Sequence, residues 1–167
     1  LAMAVILSVP TIITTGTGTV PVKAAGDTVE LTVSSESAKY AGYETRKMYA
    51  GGNYAYCVQP SKKTPQSGTY EKHYDVENYV SNAGDKTQAV QSRNLAYYCW
   101  GAPGFNASYF PSTWYDGSAM DDDKYIALSH IMLSFLVSYD AVGSMHGCNS
   151  SFKNWVYQNV LGYNANG

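Results

Sequence analysis

A cysteine stands where a strand-like run gives way to a polar loop. Residues 54–60 read YAYCVQP, so that Cys57 closes an aromatic, apolar run and Pro60 stops it. The polar residues that follow include Pro65 and Gly68, which are typical of an exposed loop. A thiol at such a junction is held rigidly on one side and is open to a partner on the other. Because a thiolate is a nucleophile, Cys57 is the first candidate for chemistry.

His130 lies in a second notable segment, residues 122–139, which has helical periodicity. Its apolar side chains form two stripes (Tyr125, Leu128, Met132, Phe135, Leu136 and Tyr139; Ile126, Leu133 and Val137), and the remaining side carries small residues. A helix that is apolar nearly all round is a central, buried one. We therefore predict that His130 is buried, and a buried imidazole needs a hydrogen-bond partner.

The other cysteines give weaker signals. Cys57, Cys99 and Cys148 are the three cysteines of the chain, which permits at most one internal disulfide, and no CxxC pair occurs. The disulfide state of Cys99 and Cys148 stays open. His146 and Cys148 could supply two metal ligands, but a matching second pair is missing. We predict no metal and no cofactor.

Composition indicates one exported domain. The 167 residues are 45% hydrophobic, which supports a core, while a charged content of 14% and a net charge of −2 do not indicate nucleic-acid binding. Residues 1–25 are predicted to be a signal peptide truncated at its N-terminus, with cleavage after Ala24. Their apolar segment is too short to span a bilayer, so we expect no membrane span after cleavage. Residues 26–167 then form one module, which is either complete at its C-terminus or a fragment.

The elements that must position these residues are strands followed by helices. Alternation and turn residues predict strands at 28–33, 44–49 and 54–58, with a hairpin turn at 50–53. Residues 59–84 are predicted to be a loop. Helices are predicted for 86–100, begun by Asp85 and with Tyr97 and Tyr98 among its apolar contacts, for 122–139, and for 150–161, begun by Asn149 or Ser150. The predicted fold is α+β: a small antiparallel sheet or partial sandwich packed against about three helices, with helix 122–139 at the centre.

Three motifs in order resemble the thioester domains of Gram-positive surface adhesins and pilus-tip proteins. They are the strand end at residues 56–60, the helix end at 95–104 (LAYYCWGAPG) and the buried helix around Ser129 and His130. In that family the cysteine thiol is joined to a glutamine side chain as an internal thioester, which a lysine amine of a host protein can attack. The resemblance implies a secreted, cell-wall-associated adhesin module, a monomeric part of a larger multidomain surface protein. Its implied partner is a host or surface protein.

One position departs from the family pattern. The family's glutamine lies in a Thr-Gln-x-Ala-Ile/Val-Trp motif on the later helix, and here that position holds His130. An imidazole cannot be the acyl donor of a stable thioester. The stored bond is therefore absent or made with another glutamine, for which Gln59, Gln88 and Gln91 are the candidates.

A cysteine paired with a histidine suggests a different chemistry. A neighbouring imidazole can lower a thiol pKa of about 8.5 by several units, and the resulting thiolate–imidazolium pair is the nucleophile of cysteine hydrolases and acyl transferases. Three hypotheses follow: an adhesion module with Cys57 as its reactive centre, which is not an enzyme; a Cys57/His130 hydrolase or acyl transferase; and a degenerate domain that is structural or binds without covalent chemistry. We favour the first.

Overall fold

The chain forms an antiparallel sheet packed against helices. The computed structural model describes residues 5–7, 27–58, 63–72, 86–138 and 145–162. Five strands pair in the order β1-β4-β3-β2-β5, and every pairing is antiparallel. The elements are β1 (Val5–Leu7), β2 (Thr28–Tyr40), β3 (Tyr43–Ala50), β4 (Asn53–Cys57), β5 (Gly68–Glu71), α1 (Lys86–Tyr98), α2 (Asp122–Ser138) and α3 (Ser150–Asn159). The predicted α+β class with a small antiparallel sheet is confirmed.

The hairpin that carries Cys57 forms as predicted. Gly51 and Gly52 both have positive φ, at 57° and 83°, which is the backbone that a tight two-residue hairpin turn requires. The register pairs Tyr49 with Tyr54 and Ala50 with Asn53. Cys57 is the last residue of β4, the second arm of the hairpin.

Two strands depart from the prediction. β2 continues to Tyr40 instead of ending at residue 33, because a register shift between Val33 and Ser37 lets the polar segment keep pairing with β3. The Arg46 guanidinium supports this irregular stretch by donating to the Ser35 carbonyl at 2.7 Å. β5 lies inside the predicted loop at 59–84 and pairs with β2, so that part of the loop prediction was wrong. Its four residues were too short a run to stand out by alternation.

The three predicted helices are present with slightly different ends. α1 ends at Tyr98, and its Tyr97 and Tyr98 rings are 42% and 44% exposed rather than part of the core. The predicted start of α1 at Asp85 lies outside the described residues. Asn149 begins α3 as predicted, because its side-chain oxygen accepts from the Phe152 N–H at 2.8 Å.

Helix α2 is the centre of the fold, as predicted. Its residues enter two hydrophobic clusters, one with strand β4 and helix α1 (Ile126 and Leu133) and one with helix α3 and Trp114 (Ala127, Leu128 and Ile131). A third cluster joins Leu31, Met48, Ala50, Ala55 and Cys57, all from strands. The sheet is therefore packed on both faces at the position of Cys57.

The first strand lies within the predicted signal peptide. Val5, Ile6 and Leu7 pair with Cys57, Tyr56 and Ala55 of β4. The rest of residues 1–26 lies outside the described part of the chain, and the signal peptide stays a prediction. Among the helices described, none is both long and apolar enough to cross a membrane.

Candidate functional site

Cys57 lies at a strand end that is buried on both sides. Along β4 the side chains alternate between clusters: Tyr54 and Tyr56 pack toward α1 and α2, while Ala55 and Cys57 pack with Met48 and other strand residues. Cys57 is 9% exposed, and the backbone runs directly after it into Val58, which is fully buried. Burial of Cys57 and of the following residue therefore fixes the position of the thiol at the end of β4.

His130 reaches the same strand end from α2. Its imidazole hydrogen-bonds the backbone of Cys57. The side chain is only 4% exposed. The structure thus brings the two predicted site residues together, and the contact that it shows is with the Cys57 backbone.

The surroundings keep the imidazole neutral. Burial lowers the pKa of His130 to about 4, and the hydrogen bond to Cys57 opposes that shift only in part. A bond that raises the pKa of a histidine is one in which the ring donates, so the acceptor is the Cys57 carbonyl oxygen. At neutral pH the ring carries one proton, and that proton is used in this bond.

The second ring nitrogen of His130 has no partner among the described residues. Nδ1 is buried and makes no hydrogen bond there, so the proton lies on Nε2 and Nδ1 presents a lone pair. Leaving a buried acceptor without a donor costs about 1–3 kcal/mol. His130 therefore places an unused, neutral proton acceptor next to the strand end that carries Cys57.

A second polar cluster surrounds Ser129, the neighbour of His130. The Ser129 hydroxyl accepts from the Trp100 N–H at 3.0 Å, and the Tyr56 hydroxyl donates to the Trp100 carbonyl at 2.7 Å. Burial raises the pKa of the Cys99 thiol to about 12, and a hydrogen bond with Ser129 opposes that rise. Ser129 therefore fixes the end of α1 against β4 and α2.

Sequence reasoning did not find the role of Ser129. The available signal was a serine on a nearly all-apolar helix, since a buried hydroxyl needs a partner, and the nearby helix end at residues 98–101 offers unpaired backbone groups. The same reasoning had been applied only to His130.

In the part of the chain that the structure describes, no alternative thioester partner lies at Cys57. Gln91 lies on α1 and is exposed to solvent. Gln59 and the Gln88 side chain lie outside what the structure describes. They remain predicted candidates.

Other chemistry-bearing groups lie elsewhere. Two surface depressions of about 500 and 460 Å³ are lined by charged residues (Lys39, Asp121, Asp122, Asp123 and Lys124; Ser35, Glu36, Ser37, Lys39, Glu44, Arg46 and Lys47), and neither reaches Cys57 or His130. In the described ranges no group of three or more His, Cys, Asp or Glu residues could hold a metal ion. Cys57, Cys99 and Cys148 are all buried and none forms a disulfide. The contact between β4 and α2 is therefore the best candidate site.

Comparison with known proteins gives one match. The family model described as "Thioester domain" matches residues 28–165, a span that contains Cys57, Cys99, Ser129 and His130. Comparisons with curated proteins and with solved structures find no match.

Proposed function

Because the chain belongs to the thioester-domain family, we propose that it is an attachment module of the cell surface in which Cys57 is the reactive group. Its partner is a protein of the host or of the same surface, engaged through a lysine amine. The chain is exported by the predicted signal peptide and acts as a monomeric module of a larger Gram-positive cell-wall protein.

One observation carries this proposal: the contact between the His130 ring and the Cys57 backbone. The two residues are far apart in sequence, and both lie within the span matched by the family. The contact places α2 against the end of β4, the two elements from which the family's glutamine and cysteine would come, although the Cys57 side chain itself packs with the strand residues of the third cluster.

The chemistry that we propose is storage and transfer of an acyl group. The Cys57 thiol attacks the side-chain amide carbon of a glutamine, and ammonia leaves as the thioester forms. An incoming amine then attacks the thioester carbonyl, an amide forms, and the Cys57 thiol is released. Burial protects the activated carbonyl from water before the partner arrives.

The donor glutamine is the finer part of the proposal. Since position 130 holds an imidazole, the acyl group must come from Gln59, Gln88 or Gln91. The exposure of Gln91 weighs against that residue, because a solvent-facing side chain does not supply the protected environment. Gln59 and Gln88 are therefore the better candidates.

His130 would serve this chemistry as a neutral base. The unpartnered Nδ1 can accept the proton that an attacking amine must lose, and a ring with a pKa of about 4 is available for this at any pH above about 5. Its Nε2–H holds the Cys57 carbonyl in place meanwhile.

The same unpartnered nitrogen supports a second candidate function, a Cys57/His130 hydrolase or acyl transferase. Such an enzyme requires a general base within hydrogen-bond reach of the thiol, whereas the contact in the structure is with the Cys57 backbone. The low pKa of His130 weighs against a resting thiolate–imidazolium pair, because burial disfavours the charged ring. This function is thus the second choice, and steady hydrolysis of an activated ester that stops in Cys57→Ala would support it.

Intact mass tests the proposal directly. A stored thioester makes the chain lighter than its sequence mass by one ammonia, and incubation with methylamine replaces the thioester by a methylamide. Cys57→Ser is the matched control and is expected to show the full sequence mass before and after treatment. Gln59→Ala and Gln88→Ala then identify the donor, because only one of them should restore the full mass.

Two further outcomes separate the remaining hypotheses. A full sequence mass with rapid alkylation of Cys57 in the folded chain would rule out the stored bond and leave a reactive thiol, which favours the enzyme. A full mass with a Cys57 that resists alkylation until the chain is unfolded would contradict both reactive functions. Only a structural or non-covalent binding role would then remain.

A further inference from the structure

Strand β4 carries the unusual feature that leads beyond the reactive site. Tyr54, Ala55, Tyr56 and Cys57 are all buried, so β4 is covered on both faces. β5, at the other edge of the sheet, is only half-buried, with alternate residues exposed. Edge strands are normally protected by charge, proline or brevity, and β4 contains no charged residue and no proline. Its outer edge therefore needs another strand.

The strand that covers this edge is short. β1 contributes Val5, Ile6 and Leu7, with Val5 opposite Cys57, and α1 contacts β1 as well. A three-residue strand makes few ladder hydrogen bonds, each worth about 1 kcal/mol net. The edge of β4 thus accepts an extended apolar segment and holds it with few bonds.

The covering strand lies in the segment that cleavage after Ala24 would remove. Without β1 the backbone groups of residues 55–57 that face β1 would lose their partners while both faces of β4 stayed packed. We propose that this edge is a strand-binding site, which takes an extended apolar segment of the attachment partner beside Cys57 in the cleaved chain. The identity of the partner rests on the proposed attachment function, and the exposure of the β4 edge rests on the predicted cleavage after Ala24.

The register of β1 shows what the added strand would do. A residue at the position of Val5 lies opposite Cys57 and shares its face of the sheet, with the two Cβ atoms about 4.5–5.5 Å apart. A lysine at that position would have its amine within reach of the Cys57 sulfur. Strand addition would therefore supply both main-chain affinity and the alignment of the nucleophile.

A single partner strand fits this edge better than a second copy of the chain. Pairing two β4 edges would bring two whole sheets together beside α1. α1 contacts β1 and, through Ala96, packs in the cluster that contains Tyr54 and Tyr56. An extended segment takes only the place of β1, whereas a second sheet must also fit beside this helix.

The first experiment tests the register in the full chain. After methylamine has released any thioester at Cys57, Val5→Cys is expected to form a disulfide with Cys57 under mild oxidation, because residues directly opposite in an antiparallel pair lie within disulfide range. Ile6→Cys is the matched control, since that position is opposite Tyr56 and should give no link. Equal linking of both variants, or linking of neither, would overturn the strand placement on which the proposal stands.

The second experiment tests exchange of the strand. A protease site is placed within residues 8–26, the folded chain is cut, and a fluorescent peptide with the sequence of residues 1–10 is added. Anisotropy should show saturable binding, and hydrogen exchange should show that the peptide protects the amides within residues 55–57 that face the added strand. Protection of α2 amides after the cut verifies that the chain is still folded.

A proline peptide is the control for main-chain pairing. Of residues 5 and 6, only one directs its backbone N–H toward β4, so prolines at both positions remove that donor whichever residue carries it. Binding should then weaken by at least about tenfold. Equal binding of both peptides would overturn strand addition, as would failure of the first peptide to bind. A cut chain that becomes a dimer and refuses the peptide would assign the edge to a second copy, which also overturns the proposal.

The intact mass, read beside peptide binding, separates this proposal from the attachment chemistry. A wild-type chain treated with methylamine has no thioester and keeps the backbone of β4, so it should bind the peptide as it does before treatment. Loss of peptide binding after methylamine treatment would contradict a main-chain site. A wild-type chain that binds the peptide but has the full sequence mass would leave strand addition standing and sink only the stored bond.

Discussion

Ser129 and His130 are adjacent on α2, and each contacts a different cysteine. Ser129 bonds the Cys99 thiol inside the contact between α1 and α2, whereas His130 bonds the backbone of Cys57 at the end of β4. Cys99 has no solvent exposure and a pKa raised to about 12. Cys57 lies at the end of a strand, where the chain leaves the sheet. Two adjacent residues of a buried helix thus contact two cysteines differently: Ser129 bonds the thiol of Cys99, and His130 bonds only the backbone of Cys57.

The largest expected difference between the two cysteines is in alkylation. A pKa that rises from 9.0 to about 12 lowers the thiolate fraction of Cys99 about a thousandfold, and burial slows the reaction further. After methylamine treatment, iodoacetamide should label Cys57 in the folded chain and leave Cys99 unlabelled, as read by peptide mass spectrometry. The unfolded chain is the control and should label at both positions. Equal alkylation rates of Cys57 and Cys99 in the folded chain would contradict this difference between the two cysteines.

The next largest effect is expected from removing the His130 ring. His130→Ala leaves the Cys57 carbonyl without its donor and opens a cavity beside β4, so the free energy of unfolding should fall by about 3 kcal/mol in urea denaturation. His130→Gln keeps a donor at this position and should cost about 1 kcal/mol.

The His130→Gln variant also tests the assignment of position 130. It restores the residue that the family resemblance places there, and we expect its intact mass to be lower by the one ammonia lost in a bond to Cys57. The double variant with Cys57→Ser should have its full mass. A folded His130→Gln chain that shows no mass difference from this control, beyond the substitutions, would count against the placement.

An effect of similar size is expected from pH. The unfolded chain takes up a proton at His130 below a pKa of about 6.5, and the folded chain does so only below about 4. The contribution of His130 is thus fully present above pH 6.5 and is lost as pH falls toward 4, to a total of about 3 kcal/mol. This contribution of His130 can be isolated by following, from pH 7 to pH 4, the difference in unfolding free energy between wild type and His130→Gln. A constant difference would contradict a buried neutral ring.

The smallest expected effect compares two buried serines. Ser129→Ala removes the acceptor of the Trp100 N–H and should cost about 1–2 kcal/mol. Ser92 is equally buried, but its hydroxyl has no hydrogen-bond partner among the described residues, so Ser92→Ala should be neutral or stabilising. Chemical denaturation of the two variants measures the contrast. Equal losses would mean that the Ser129 network adds nothing beyond packing.

The sequence predicted the parts of the fold that local chemistry determines. The Gly51-Gly52 turn, the apolar periodicity of α2 and the Asn149 cap each depend on residues close together in the chain. β5 and the second half of β2 depend on pairing with distant strands, so polar residues could become strand without a local signal. The exposure of the Tyr97 and Tyr98 rings could not be predicted from the sequence, because an aromatic side chain fits either environment.

The sequence could predict which residues belong to the candidate site, but not how those residues interact. Motif order indicated that Cys57 and His130 belong together, and the structure places them in contact. The neutral state of His130, its unpartnered nitrogen and the Ser129 network depend on burial and on bonds between distant elements. Those properties appear only once β4, α1 and α2 are packed.

NMR of the His130 ring tests the contact between α2 and Cys57 most directly. In a ¹⁵N-labelled chain, with His130→Gln used to assign the signal, the account predicts an Nε2–H tautomer that stays neutral from pH 8 to pH 5. Its ring proton should be protected from exchange and should show a nuclear Overhauser effect to the backbone around Cys57. A ring that titrates near pH 6.5 and lacks that contact would contradict the account. In that case α2 would not position His130 at the end of β4, where Cys57 lies.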